Sequence, residues 1–184
     1  TCTSFLSALD VAAYMIDYGK YNKILIVSGD TASGALNPKQ KESYELFSDA
    51  AAAFIVGVNG ESGVICATQK TWSEGAHDTE IRGGGGLLTA FKYNEDTKED
   101  YYFDMKGPKV LKLSARKLPE FLNETLEKSC ISLDDVKLVI PHQASKALDL
   151  IMPRIGIEEG KYINRVSEYG NMISASIPYT LCDV

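Results

Sequence analysis

No stretch of this sequence reaches the roughly 18 consecutive apolar residues that a membrane-crossing helix needs, so no spanning helix is expected. Histidine is scarce, with two in 184 residues, and the four cysteines (Cys2, Cys66, Cys130, Cys182) are widely spaced with no C-x-x-C pair. Cysteine this sparse excludes a disulfide framework and points to a reducing, cytoplasmic setting. Two histidines without paired thiols are too few ligands for a structural zinc site, so no metal site is expected. Basic residues are outnumbered, 19 against 25 acids, for a net charge of −6. That balance excludes nucleic-acid binding driven by bulk charge. Residues 1–20 contain neither a basic n-region nor a cleavage site, so no signal peptide is expected there. What remains is an ordinary globular composition, 45% apolar and 24% charged. At roughly 150 residues per domain, the length suits one domain or parts of two. The sequence opens on Thr1 rather than methionine and reads as a piece cut from a longer protein.

Hydrophobic spacing divides the chain into alternating helices and strands. In residues 4–18, Leu6, Leu9, Ala13 and Ile16 fall at helical spacing and Gly19 supplies a stop signal. This run is apolar almost all round, which predicts a buried helix. Residues 23–28 read as a buried strand of α/β type, and residues 51–58 as another strand, ended by the Asn59-Gly60 turn. Residues 30–48 read as loop, and 63–68 as a further strand. Residues 73–99, with the glycines at 83–86 and an acidic stretch, read as a loop or flap around a short hairpin, with a strand at 101–103 after it. A helix is expected from Pro108, where a first turn tolerates proline, to about Lys128, with Pro119 as a point of breaking or kinking. A turn over 132–135, a strand over 136–140, a helix from Ser145 to about Ile155 and another over 174–181 complete the pattern. The alternation gives an α/β class.

Cys2 immediately precedes the first apolar helix. At a helix N-terminus the macrodipole and free N–H groups favour a thiolate, which needs no adjacent base to act as a nucleophile. A free cysteine that merely packs is the other reading of that position. The other three cysteines fall in apolar elements or on a helix end and read as packing residues. His77 lies in a polar loop and reads as a surface residue. His142 follows a strand and Pro141, at the kind of strand end where open α/β sheets gather ligand sites; a satisfied core histidine would look the same. Asn171, in Tyr169-Gly170-Asn171-Met172, is either a turn residue or a third member of a site. Thiol, imidazole and amide in the order Cys2, His142, Asn171 make an acyl-transfer constellation. Papain-like hydrolases share that order. Their C-G-[SA]-C-[WY] signature is absent around Thr1-Cys2-Thr3-Ser4-Phe5, and the only tryptophan, Trp72, is remote from Cys2 and Asn171 in sequence.

Val139-Ile140-Pro141-His142-Gln143-Ala144-Ser145 is similar to a P-H-Q-A-N histidine motif. Tyr169-Gly170-Asn171 through Ser174-Ala175-Ser176-Ile177-Pro178 is similar to a G-N-T-x-x-A-S-I-P asparagine motif. Phe47-Ser48-Asp49-Ala50-Ala51-Ala52-Ala53 stands where the same family has F-G-D-G-A-G-A, and Met105-Lys106-Gly107 matches its M-x-G. Over essentially all 184 residues, in order and spacing, the sequence resembles β-ketoacyl-acyl carrier protein synthase III, a condensing enzyme of the thiolase fold.

The resemblance implies an incomplete thiolase-like layered αβαβα fold. Residues 1–62 would be the late part of one half and 63–184 most of the other. It implies a cytoplasmic, homodimeric acyltransferase of fatty-acid or related biosynthesis, with no bound cofactor. The substrates would be an acyl-coenzyme A primer and malonyl-acyl carrier protein. Cys2, His142 and Asn171 would be catalytic, and Gly107, Ala144 and Ser145 would bind substrate. Cys2 would take the acyl group, while His142 and Asn171 would donate hydrogen bonds to the malonyl thioester oxygen as decarboxylation builds an enolate. The family's closing glycine-rich strand and its early coenzyme A-gripping tryptophan and arginine have no counterpart here, so these 184 residues alone are expected not to condense.

Three departures bear on specificity. Ser145 replaces the motif asparagine, Ala147 stands where an arginine often serves carrier docking, and Ala50 and Ala52 replace glycines. Residues 106–117 carry five basic residues and no acid. Lys109, Lys112 and Arg116 share a helix face, and with Lys146 they are the expected carrier-docking residues. Such a stripe suits an acidic carrier or coenzyme A phosphates; a solvated helix face is the alternative. Two further readings stay open. One is a sister thiolase-fold acyltransferase that joins acyl chains or primes a secondary-metabolite pathway. The other is a partner subunit that keeps the fold without turning over.

Overall fold

Two antiparallel strands organise the first third of the chain in the computed structural model, which describes residues 2–184. Lys23–Asp30 (β1) pairs with Ala50–Gly57 (β2), Lys23 opposite Gly57 and Asp30 opposite Ala50. Ser4–Asp17 (α1) covers one face of this pair. Gly19, at φ +77°, ends α1: its N–H reaches Ile16 O while Lys20 N–H reaches Met15 O, a Schellman closure. Phe5 and Ala12 of α1 and Ile26 of β1 form a core that Phe54, Val56 and Ile177 complete. Ile177 belongs to Ser176–Cys182 (α5), so the last helix of the chain packs on the first sheet.

Both elements are covered on one side only, where the sequence pattern predicts fuller burial. On α1, Val11 and Tyr14 are 51% and 72% exposed. On β1, Ile26 and Ser28 are buried, while Leu25 and Val27 lie open with Ile55, the cross-strand partner of Leu25. An antiparallel pair tolerates one uncovered face, and a continuous apolar run does not reveal how many faces are covered.

A second core gathers Leu148, Ile151 and Met152 of Leu148–Arg154 (α4) with Ile157 and Val166. Leu111, Leu118 and Leu122 of Gly107–Ser129 (α3) pack against it, as does Leu46. Helix α3 has Pro108 in its first turn, as expected, and ends at Cys130 in a left-handed conformation. Pro119 does not break it. The helix runs 23 residues through that position, because packing on both sides of Pro119 outweighs one missing backbone bond.

Several expected strands are not formed. Residues 63–68 form none, and Val64 and Ile65 are exposed. The strand expected over 136–140 reduces to one parallel bridge, Val139 to Tyr162. At 101–103 a 3-10 turn, Lys98–Tyr101, leads instead into Asp104–Met105 (β4), which pairs antiparallel with Thr79–Glu80 (β3). Each of these segments has strand-forming side chains, but a ladder needs a partner as well. Residues 30–48 hold a 3-10 turn, Ala32–Ala35, and a short helix, Lys41–Tyr44 (α2), rather than plain loop. Cys130 and Cys182 are exposed at helix ends instead of packed. Among the described residues no helix is long and apolar enough to cross a membrane.

Candidate active site

Asn171 is held from three sides. Its N–H donates to Leu46 O at 2.8 Å and its carbonyl accepts from Ser48 N–H at 3.0 Å, in a parallel bridge centred on Phe47. Gly170 makes this approach possible. It sits at φ +70°, ψ −165°, a region essentially reserved for glycine. A Cβ there would lie 2.7 Å from Leu46 O. On the side chain, Oδ1 accepts from Ile173 N–H at 3.0 Å and Nδ2 donates to Ala144 O at 3.3 Å. The sense of the amide is thereby fixed, and one Nδ2 proton stays uncommitted. Ile173 adopts φ +49° to present its N–H, a left-handed backbone that costs a side-chain-bearing residue about 1–2 kcal/mol. Strain of this kind persists where surrounding contacts over-determine it.

The turn carrying His142 is tied down on its other flank. The fully buried Gln143 donates through Nε2 to Pro141 O at 2.9 Å and Ile163 O at 3.1 Å, and accepts from Arg165 N–H at 2.6 Å. Ala144 N–H closes back on His142 O at 2.7 Å. His142 Nδ1 is enclosed and has no hydrogen-bond partner among the described residues. Burial lowers the His142 pKa to about 4, so near neutral pH the ring is uncharged and donates from one nitrogen.

The pH dependence has a definite sign. An unfolded imidazole protonates near pH 6.5 and the folded one only near 4, so stability present above pH 6.5 is lost as pH falls towards 4. Between pH 7 and 5, denaturant unfolding should show wild type losing about 2 kcal/mol more than His142→Gln. Equal losses would mean that the ring is not held neutral.

Cys2 lies half-buried just ahead of α1. The thiolate expected at a helix N-terminus is not favoured. Burial raises the thiol pKa, and the charge of Asp30 acts in the same direction. Cys2 therefore rests as a thiol. Asp30, the last residue of β1, accepts from Ser174 N–H at 2.9 Å and also from Ser174 Oγ. Thus Asn171 is bonded directly to the His142 turn, and the backbone just after Asn171 is bonded to the strand end whose charge reaches Cys2. Asn171 and the His142 turn are bonded together, whereas Cys2 is linked to them only through the charge of Asp30.

The remaining expected site residues are placed as follows. Gly107 opens α3, where a Cβ would come within 3.4 Å of Glu42 Oε2. Ala144 is exposed and gives its carbonyl to Asn171. Ser145 does not cap α4, which begins three residues later; its Oγ accepts from Ala147 N–H at 3.2 Å. Lys109, Lys112 and Arg116 line one groove of about 270 Å³ with Glu74, Asp78 and Leu113. Arg116 is already paired to Glu74 at 3.1 Å, which also holds Lys117 at 3.3 Å. The stripe is thereby partly neutralised, leaving Lys109 and Lys112 as its free charges among the described residues. Lys146 is exposed on the turn after Ser145. His77 is exposed as expected, bonded through Nδ1 to Glu80. Among the described residues no group of three His, Cys, Asp or Glu side chains is arranged to hold a metal ion.

Roles for Asp30, Gln143, Gly170, Ile173 and Ser174 do not emerge from the sequence. The signals that exist are faint: an acid at the end of a strand, and a glycine directly before an asparagine.

The model of the 3-oxoacyl-[acyl-carrier-protein] synthase III family matches residues 1–73, and that of the same family's C-terminal region matches residues 126–184. A curated β-ketoacyl-[acyl-carrier-protein] synthase III from Clostridium perfringens is 35% identical over 185 aligned positions, covering 99% of this chain and 56% of the relative. The chain thus spans about half the length of the curated relatives it matches. A 2.1 Å crystal structure of a 3-oxoacyl-(acyl-carrier-protein) synthase III superposes with a TM-score of 0.89 at 22% identity, over 99% of this chain and 57% of that one. The corresponding Aquifex aeolicus structure gives 0.81 at 27% identity, over 99% and 55%. The architecture is therefore the thiolase-like α/β fold of these proteins. With both family regions matched in order, one carrying Cys2 and the other His142 and Asn171, the chain belongs to the 3-oxoacyl-[acyl-carrier-protein] synthase III family.

Proposed function

We propose that the protein is an acyltransferase that condenses an acyl-coenzyme A primer with malonyl-acyl carrier protein, with loss of carbon dioxide. The observation that carries this reading is the Asn171 amide, fixed with one free Nδ2 proton and bonded to the turn of a neutral His142. Cys2 Sγ attacks the primer thioester, forming the Cys2 thioester, and its proton leaves with coenzyme A thiol. On the malonyl thioester, the breaking C–C bond releases carbon dioxide, and its electron pair forms an enolate. His142 and Asn171 donate to the enolate oxygen, which is where negative charge develops. The enolate carbon attacks the Cys2 thioester, Cys2 thiolate is expelled, and the β-ketoacyl product stays on the carrier. A neutral imidazole suits this role as a fixed donor.

In the same reading residues 1–62 and 63–184 belong to two similar halves, the protein works as a cytoplasmic homodimer, and these residues by themselves do not turn over. Intact mass after incubation of the intact protein with acyl-coenzyme A tests the first step. One acyl adduct on the Cys2 peptide is expected. No adduct, or an adduct that survives Cys2→Ala, overturns the reading.

Carrier docking is assigned to Lys109 and Lys112, with Arg116 and Lys146 secondary. Reversing both lysines to glutamate should raise the carrier KM about 3- to 10-fold at low salt, and the effect should shrink as salt rises. Arg116→Glu should matter less, because Glu74 already neutralises that guanidinium. An unchanged KM in the double variant would leave the groove as a solvated helix face.

A further inference from the structure

Asp30 belongs to no motif, yet the two ends of the described chain meet at its carboxylate. Asp30 Oδ2 accepts two bonds from a single residue 144 positions away, the N–H and Oγ–H of Ser174. Ser174 is buried, and it directly follows the strained Ile173. Two successive backbone N–H groups are therefore gripped from opposite sides. Ile173 N–H is held by Asn171 Oδ1 and Ser174 N–H by Asp30 Oδ2. A left-handed isoleucine relaxes unless both flanking peptides are fixed, and relaxation would release Asn171 Oδ1 and let the amide turn.

We propose that Asp30 is a positioning residue, holding the strained turn that aims the Asn171 amide. The role of Asn171 in turnover rests on the condensing reading above; the clamp itself does not. The same carboxylate also acts on Cys2. Among the described residues Asp30 is the acidic side chain whose field opposes ionisation of the thiol. Replacing Asp30 therefore has two separable consequences, one mechanical and one electrostatic, whereas replacing Ser174 has only the first.

Three measurements on the intact protein, as wild type, Asp30→Asn and Ser174→Ala, test this. Hydrogen exchange over residues 171–176 reads the clamp without substrate, and it should be about tenfold faster in both variants. The kcat for malonyl-thioester decarboxylation should fall about 10- to 100-fold in Asp30→Asn and less in Ser174→Ala, with carrier KM unchanged. Iodoacetamide alkylation of Cys2 should shift its midpoint to lower pH in Asp30→Asn, because removing a negative charge favours the thiolate. In Ser174→Ala the charge remains and the midpoint should stay. General loosening would speed alkylation at every pH without moving the midpoint. Unchanged exchange in Ser174→Ala overturns the proposal, even if Asp30→Asn fails to fold. A wild type that does not decarboxylate sinks the condensing reading alone, since the exchange and alkylation results still decide the role of Asp30.

Discussion

Cys2→Ala should lower condensation by about a thousandfold or more and yet leave malonyl decarboxylation within about tenfold of wild type. The two half-reactions draw on different groups. Acyl transfer needs a sulfur to form the covalent intermediate. In the condensing reading, loss of carbon dioxide needs only donors at the enolate oxygen, and those are placed by hydrogen bonds of the Gln143 turn and of the Phe47–Asn171 bridge, none of which involves Cys2. Release of labelled carbon dioxide, followed beside product formation, separates the two. If both rates collapse together, decarboxylation depends on the thiol, and His142 and Asn171 are not sufficient donors.

Gly170→Ala should damage both the fold and the placement of Asn171. The added Cβ would lie 2.7 Å from Leu46 O and 3.2 Å from Ser48 Oγ, in a backbone conformation that side-chain-bearing residues avoid. Leu46 O is also the acceptor for Asn171 N–H, so relief of the clash must pull the bridge apart at Asn171. A stability loss of about 2–4 kcal/mol is expected, together with about a hundredfold loss of decarboxylation from the misplaced amide. Gly160→Ala provides the control. It shares a positive φ, +87°, but has open space around the missing Cβ, so about 1–2 kcal/mol of backbone strain is the whole expected effect. Urea unfolding of both variants checks the comparison, and equal losses would show that strain alone matters at Gly170.

The site was legible in sequence where chemistry is carried by runs of adjacent residues. The string around His142 and the Gly170-Asn171 step each keep their surroundings local, and the two segments do meet through Ala144. The electrostatics were not legible. A cysteine ahead of a helix predicts a thiolate, but burial and the charge of Asp30 raise the Cys2 pKa. Neither can be read from residues 2–17. Asp30 itself read as the start of a loop, since its partner Ser174 lies 144 residues on. Strands were legible where both members exist and illegible where a β-rich segment such as 63–68 lacks a neighbour. Pro119 misled in the opposite direction, because local chemistry allowed a break there, yet the helix runs on with Leu118 and Leu122 packed on the second core.

The bonds that finish the site also set the time at which it can appear. Ser48 to Tyr169 closes 121 residues of chain and Asp30 to Ser174 closes 144, whereas α1, next to Cys2, closes through neighbours four apart. Long closures come at a higher entropic cost and later in folding than local ones. Helix α1 beside Cys2 thus forms early, and the turn that holds Asn171 forms late. A chain caught between those events carries a thiol that can react with electrophiles before it has anything to catalyse.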